Sequence, residues 1–97
     1  MKVKFFATLR RVVGEKEVQF DVPAGVTVRQ LLDEMTGRFP DLRREMLDEH
    51  GQLLRHVHIF VNSRDANFLA NGLDTPLKAD DEIGVFPAVG GGSISSF

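Results

Sequence analysis

One stripe of five apolar residues limits the folds open to this chain more than any other feature. Val28, Leu31, Leu32, Met35 and Phe39 recur at i, i+3, i+4, i+7 and i+11, the spacing of one helix face. Thr27 precedes the stripe and Gln30 follows three residues later. The threonine hydroxyl can accept from the Gln30 backbone N–H while the Gln30 side chain reaches back, the pattern of a capping box. Gly37 weakens the far end, and Pro40 stops the helix because the residue before a proline is pushed out of the α region. The apolar segments on either side alternate with period two instead. One main helix laid on several half-buried strands covers one face of a sheet and leaves the other open.

Residues 2–9 alternate, with Val3, Phe5, Ala7 and Leu9 on one face and Lys4, Phe6 and Thr8 on the other. Arg10 to Lys16, with Gly14, reads as a loop. Glu17 to Val22 alternates again, with Val18, Phe20 and Val22 on one side, so the first two strands form a hairpin with a long connection. Pro23-Ala24-Gly25 ends it. After the main helix, Asp41 to Leu47 has the pattern of a shorter helix with Leu42, Met46 and Leu47 inward. His50-Gly51-Gln52 is a turn. His56 to Asn62 is a strand with Val57, Ile59 and Val61 on its core side. Asn62-Ser63-Arg64-Asp65 reads as a tight turn, and 67–77 as irregular chain plugged by Leu69, Leu73 and Leu77. Glu82 to Phe86 is the last strand, with Ile83 and Val85 inward.

The order is ββαβ(β)β. It predicts an α+β two-layer fold of the β-grasp, or ubiquitin-like, type, a mixed sheet of four to five strands packed on one main helix. In that topology the last strand can lie beside the first, mid-sheet. Period-two alternation then places Phe6, Phe60 and Phe86 on the open face, opposite the core residues of their own strands. If those strands are neighbours, the rings form one apolar patch, the mark of a protein interface. The competing expectation is that the 67–77 segment covers some of them.

Bulk composition excludes several function classes. The 97 residues carry 12 basic and 14 acidic side chains, without the clustered basic excess that nucleic acid requires. There is no cysteine, so thiolate nucleophiles, disulfides and Cys-ligated metal sites are excluded. No apolar run reaches membrane-spanning length and no signal-peptide pattern opens the sequence, so the expected location is the cytoplasm. His56 and His58 share a strand face and His50 is close in sequence, but no third zinc ligand converges, and surface histidines are the simpler reading. Paired acids such as Asp80-Asp81-Glu82 fit solvated turns rather than a catalytic cleft.

The last strand runs into Pro87-Ala88-Val89 and then Gly90-Gly91-Gly92-Ser93-Ile94-Ser95-Ser96-Phe97. This expects a domain over 1–89 and a flexible glycine strip and tail over 90–97. With Val3-Lys4-Phe5-Phe6-Ala7, Val26-Thr27-Val28 with Leu31-Leu32, Phe60-Val61-Asn62 and the run Asp74 to Ile83, the chain resembles the MoaD/ThiS family of sulfur carriers from Val3 to Gly92. The glycine pair after the last strand is the specific part, similar to that family's Pro-Pro-Val-Ala-Gly-Gly ending. The resemblance implies that a partner related to ubiquitin-activating enzymes uses MgATP to adenylate the terminal glycine carboxylate. A persulfide donor then makes a thiocarboxylate, and a second partner, such as a molybdopterin synthase large subunit, takes the sulfur. The carrier performs no catalysis and binds no cofactor or metal itself.

Glycine suits this task, because a strip without Cβ atoms can thread a narrow channel. Alignment on Val89 makes Gly91-Gly92 the working pair, Gly92 the activated residue, and Gly90 to Gly92 the threading strip. Phe6, Phe60, Phe86, Pro87 and Val89 form the expected partner interface. Residues 93–97 depart from the family pattern. With them in place Gly92 has no free carboxylate, so a zinc peptidase resembling deubiquitinases is expected to cut after Gly92. Two other readings of the same sequence are a protein modifier joined to lysines through Gly92, and a plain β-grasp interaction module.

Overall fold

The computed structural model describes residues 1–87. The expected anchor residues Ala88 and Val89, the strip Gly90–Gly92, the tail 93–97, and with them the boundary after residue 89, lie outside the described residues.

The chain opens with β1 (Lys2–Phe5), which is shorter than its alternation suggested. The strand pattern through Ala7 and Leu9 is a coincidence of spacing. Ala7 sits at φ 52, ψ −128, and that kink turns the chain into a helix, α1 (Thr8–Val13), where a loop was expected. Ala7 is therefore exposed rather than part of a strand face. Leu9 is buried as expected, but from the helix. Gly14 ends α1 at φ 86, its N–H donating to the Arg10 carbonyl. β2 (Glu17–Gln19) then returns antiparallel to β1, pairing Val18 with Val3.

The main helix is α2 (Val28–Arg38). Its capping box forms, with the Gln30 N–H donating to Thr27 Oγ1 at 3.1 Å and the Thr27 N–H to Gln30 Oε1 at 2.9 Å. Phe39 breaks it, and Pro40 starts α3 (Pro40–Met46) at the position where its missing N–H costs no hydrogen bond. β3 (Val57–Val61) follows. A two-residue turn at Asn62 and Ser63, with φ 51 and 70, has both central residues in the left-handed region, as a hairpin of native twist needs. The turn is therefore tighter than the four residues expected: Arg64 and Asp65 form β4 and pair with Val61 and Phe60. Two short 3₁₀ turns, Ala66–Phe68 and Gly72–Asp74, lead on to β5 (Ile83–Pro87).

The five strands form one mixed sheet of order β2-β1-β5-β3-β4. β5 runs parallel to β1, Val3 opposite Ile83, and antiparallel to β3, Ile59 opposite Val85. One face packs on the helices. Val3, Phe5, Val18, Val57, Ile59, Ile83 and Val85 meet Val28, Leu31, Leu32 and Met35 of α2, with Leu42, Met46 and Leu9 closing the ends, all buried. Leu77 plugs the same core, and Leu69 and Leu73 pack partly against it, so the 67–77 segment serves the helix side of the sheet. Among the described residues, no helix is long and apolar enough to cross a membrane.

Candidate functional site

The face turned away from the helices is organised around Gly84. This residue occupies the middle of β5, opposite Lys4 on β1 and Phe60 on β3. A Cβ built there would lie 3.2 Å from Phe86 Cε2 and 3.5 Å from Phe6 Cε2, so the two rings close over the space a side chain would fill. Phe6 and Phe86 stack face to face, centroids 4.1 Å apart and planes 7° from parallel. Phe60 meets Phe86 edge-on at 5.0 Å and 84°. The structure thus brings together the three aromatic residues that alternation placed on this face. The irregular segment does not cover them, and Phe86 remains 36% exposed.

These rings line a groove of about 570 Å³, with Lys4, His58, Ser63, Glu82 and Pro87 around them. Pro87, the last residue of β5, stands opposite Val57. The groove and the exit of the chain towards residues 88–97 therefore share one residue. The Arg10 guanidinium lies 5.8 Å from the Phe6 ring centre, and its Nε–H donates to the Phe5 carbonyl at 3.2 Å. A cation held over a ring face is attracted by the ring quadrupole. Of the expected interface residues, Phe6, Phe60, Phe86 and Pro87 are in place. Val89 and the glycines Gly90, Gly91 and Gly92 lie outside the described residues.

Three features of the surface escape the sequence patterns. His58 Nδ1 lies 2.9 Å from Asp65 Oδ2, and Asp65 Oδ1 accepts from the Asn67 N–H at 2.9 Å. Asp65 is therefore clamped between the sheet and the 3₁₀ turn, and it fixes the ring of a groove histidine. Period-two spacing put His58 on the open face, but not beside a carboxylate. The second feature is Phe68, 82% exposed on that 3₁₀ turn. The third is Gly84, whose spacing two before Phe86 was the available signal for a ring folding back over it. His50 is outside the groove, 3.5 Å from Glu49. Asp48, also outside, has its carboxyl held below the usual range, first by the Gln52 N–H and then by His50.

An open apolar groove at the exit of a central β-grasp strand can dock a protein and direct the following residues towards it. Residues 3–92 match the ThiS family. The chain belongs to the ThiS family. It is 33% identical over 92 residues to small archaeal modifier protein 3 of Haloferax volcanii, covering 95% of this chain and 98% of that protein. It is 30% identical over 81 residues to the sulfur carrier protein CysO of Mycobacterium bovis, covering 81% and 83%. A chain in the crystal structure of the Amycolatopsis orientalis BexX/CysO complex superposes with a TM-score of 0.75 at 30% identity, covering 94% of this chain and 98% of that one. This ThiS family member is thus a ubiquitin-like β-grasp protein whose relatives are small carriers and modifiers.

Proposed function

We propose that this protein is a sulfur carrier that works through the carboxylate of Gly92, freed by cleavage between Gly92 and Ser93. The observation that carries the reading is the exit of β5 at the aromatic groove, with Gly90-Gly91-Gly92 beginning three residues after Pro87. Its likeness to a protein named as a sulfur carrier supports the chemistry. The likeness to a chain solved in a complex supports docking on a partner protein.

In this reading an adenylating partner docks on Phe6, Phe60 and Phe86 and draws the glycine strip into its active site. The Gly92 carboxylate attacks the α-phosphorus of MgATP and pyrophosphate leaves. A persulfide sulfur displaces AMP from the acyl carbon. Thiol cleavage of the S–S bond so introduced leaves a thiocarboxylate. A second partner, of the molybdopterin synthase large-subunit kind or one that thiolates tRNA or a small metabolite, accepts the sulfur. A zinc peptidase makes the initial cut. The chain contributes scaffold, docking face and carboxylate; ATP and magnesium belong to the partner, and the setting is the cytoplasm.

A second reading is favoured by the 33% identity to a small archaeal modifier protein: conjugation of the same Gly92 carboxylate to lysines. Mass spectrometry of the protein purified from its own cells tests both. The carrier reading expects a species ending at Gly92, with a fraction in which one oxygen is replaced by sulfur. Isopeptide adducts without any thiocarboxylate would establish the modifier instead. Uncut chain alone would defeat both.

A further inference from the structure

The open face carries a fourth ring, and this one has polar atoms. His58 lies opposite Phe86 across the β3–β5 ladder, and Phe86 stacks on Phe6, so the three form one row across the sheet. Phe60 lies beside His58, ring centres 6.4 Å apart. We propose that His58, oriented by Asp65, presents an unprotonated Nε2 at the edge of the aromatic groove, and that the groove thereby selects a partner protein whose docking side chain is an apolar body tipped by a hydrogen-bond donor, of the tyrosine kind. That a partner protein docks here rests on the sulfur-carrier reading; the state of the ring does not.

The hydrogen bonds of Asp65 decide where the imidazole proton sits. Asp65 Oδ1 accepts from the Asn67 N–H at 2.9 Å, and Oδ2 lies 2.9 Å from His58 Nδ1. An ionised carboxylate only accepts, so Nδ1 must bring the hydrogen. An imidazole is ordinarily the stronger base of the two, so the shared proton rests on Nδ1. The hydrogen bond made by one ring nitrogen sets the state of the other, and a neutral His58 therefore offers a lone pair at Nε2. Nε2 has no hydrogen-bond partner among the described residues. The Asp65 side chain is 13% exposed and that of His58 39%, so the fixing contact is largely covered while the ring still lines the groove.

Charge around the ring favours the same occupant. With the imidazole neutral, the His58–Asp65 pair carries one negative charge. The groove's cation, Lys4, stands on β1 with β5 in between, opposite Gly84 rather than Phe86. Glu82 lines the far end, next to Ile83, which pairs with the last residue of β3. A polarised O–H or N–H is drawn to such a site and a carboxylate is repelled, so the pair sets partner choice. Phe60 and Phe86, beside and opposite His58, supply apolar contact for the body of the same side chain. A ring already held in place gives up little conformational freedom when it is bound. Asp65 is then a positioning residue, and His58 the atom-bearing contact.

Two measurements on the full chain test this. Long-range proton–nitrogen NMR correlations near neutral pH should show His58 protonated at Nδ1 and bare at Nε2. In Asp65→Asn the amide oxygen keeps the Asn67 N–H, its NH₂ faces Nδ1, and the proton should move to Nε2. The second measurement titrates three probes against the Phe60 and Phe86 resonances: p-cresol, its methyl ether, and p-toluate. The cresol should bind about fivefold more tightly than the ether, as one net hydrogen bond gives, and the toluate most weakly. That preference should disappear in Asp65→Asn and in His58→Phe, which keeps a ring without an acceptor. Should Asp65→Asn fail to fold, the parent tautomer and His58→Phe decide. A proton on Nε2 of the parent, alone or with Nδ1, would overturn the proposal, as would equal binding of cresol and ether. Sulfur loading of a chain ending at Gly92 is scored separately. Loading with Nε2 protonated sinks only the role of His58, and a bare Nε2 with cresol preference but no loading sinks only the carrier reading.

Discussion

Gly84→Ala probes the groove at its centre. The backbone of Gly84 lies outside the left-handed region, so alanine fits it without strain. Replacing glycine in a strand stabilises by about 0.5–1 kcal/mol, chiefly by restricting the unfolded chain. Against this, the new methyl would meet Phe86 Cε2 at 3.2 Å and Phe6 Cε2 at 3.5 Å. Both atoms belong to side-chain rings rather than backbone, and Phe86 is 36% exposed, so its ring can swing towards solvent. Doing so gives up the 4.1 Å stack on Phe6, and with it an aromatic pair contributing about 0.5–1.5 kcal/mol. The opposing effects nearly cancel, and urea unfolding should show a change within about 1 kcal/mol of zero. The shape of the groove does not survive the exchange. Ring-to-ring Overhauser contacts between Phe6 and Phe86 should vanish, and affinity for the proposed adenylating partner, measured by calorimetry, should fall at least tenfold, or about 1.4 kcal/mol. A loss of stability beyond about 2 kcal/mol would show that the rings cannot move and belong to the core. Unchanged affinity with a disrupted stack would show that partners dock elsewhere.

Phe86→Ala should lower partner affinity at least tenfold while costing only about 1–2 kcal/mol in urea unfolding, less than the 3–5 of a fully buried phenylalanine. Ala7→Gly relieves a left-handed φ of 52 in an exposed residue and should stabilise by about 1 kcal/mol, raising the thermal midpoint by roughly 4–8 °C. Asn62→Ala should destabilise by about 1–2 kcal/mol in the same melt. It removes the 2.8 Å bond to Asp81 and the 2.9 Å bond from the Glu82 N–H, and it leaves alanine at φ 51. In a chain ending at residue 92, Gly92→Ala should abolish the proposed thiocarboxylate formation by an activating partner, read by mass, with stability within about 0.5 kcal/mol of the parent.

The parts of the fold legible in the sequence are those where a local pattern and the tertiary environment agree. Val57, Ile59 and Val61 alternate because β3 has a packed face, and the Val28-to-Met35 stripe is continuous because α2 lies flat on the sheet. α1 was hidden for the converse reason. It buries only Leu9 of its six residues, and Leu9 also continues the alternation of the preceding strand. What ends that strand is the backbone of Ala7, and alanine announces no positive φ. β4 is two residues long, too short for any period to register. The aromatic face follows from alternation alone. The His58–Asp65 contact does not, because it depends on the β3–β4 register that sets Asp65 opposite Phe60 and so diagonal to His58.

The central position of β5 also fixes how the protein bears load. The strand is paired along one side with β1 at three positions and along the other with β3 at five. Tension on the chain beyond Pro87 acts along the strand axis, and the inter-strand hydrogen bonds lie across it. They are therefore strained together in shear, where an edge hairpin would unzip one pair at a time. If a partner draws on the chain after Pro87, as the proposed function has it, the load falls on this whole ladder and the scaffold keeps its shape.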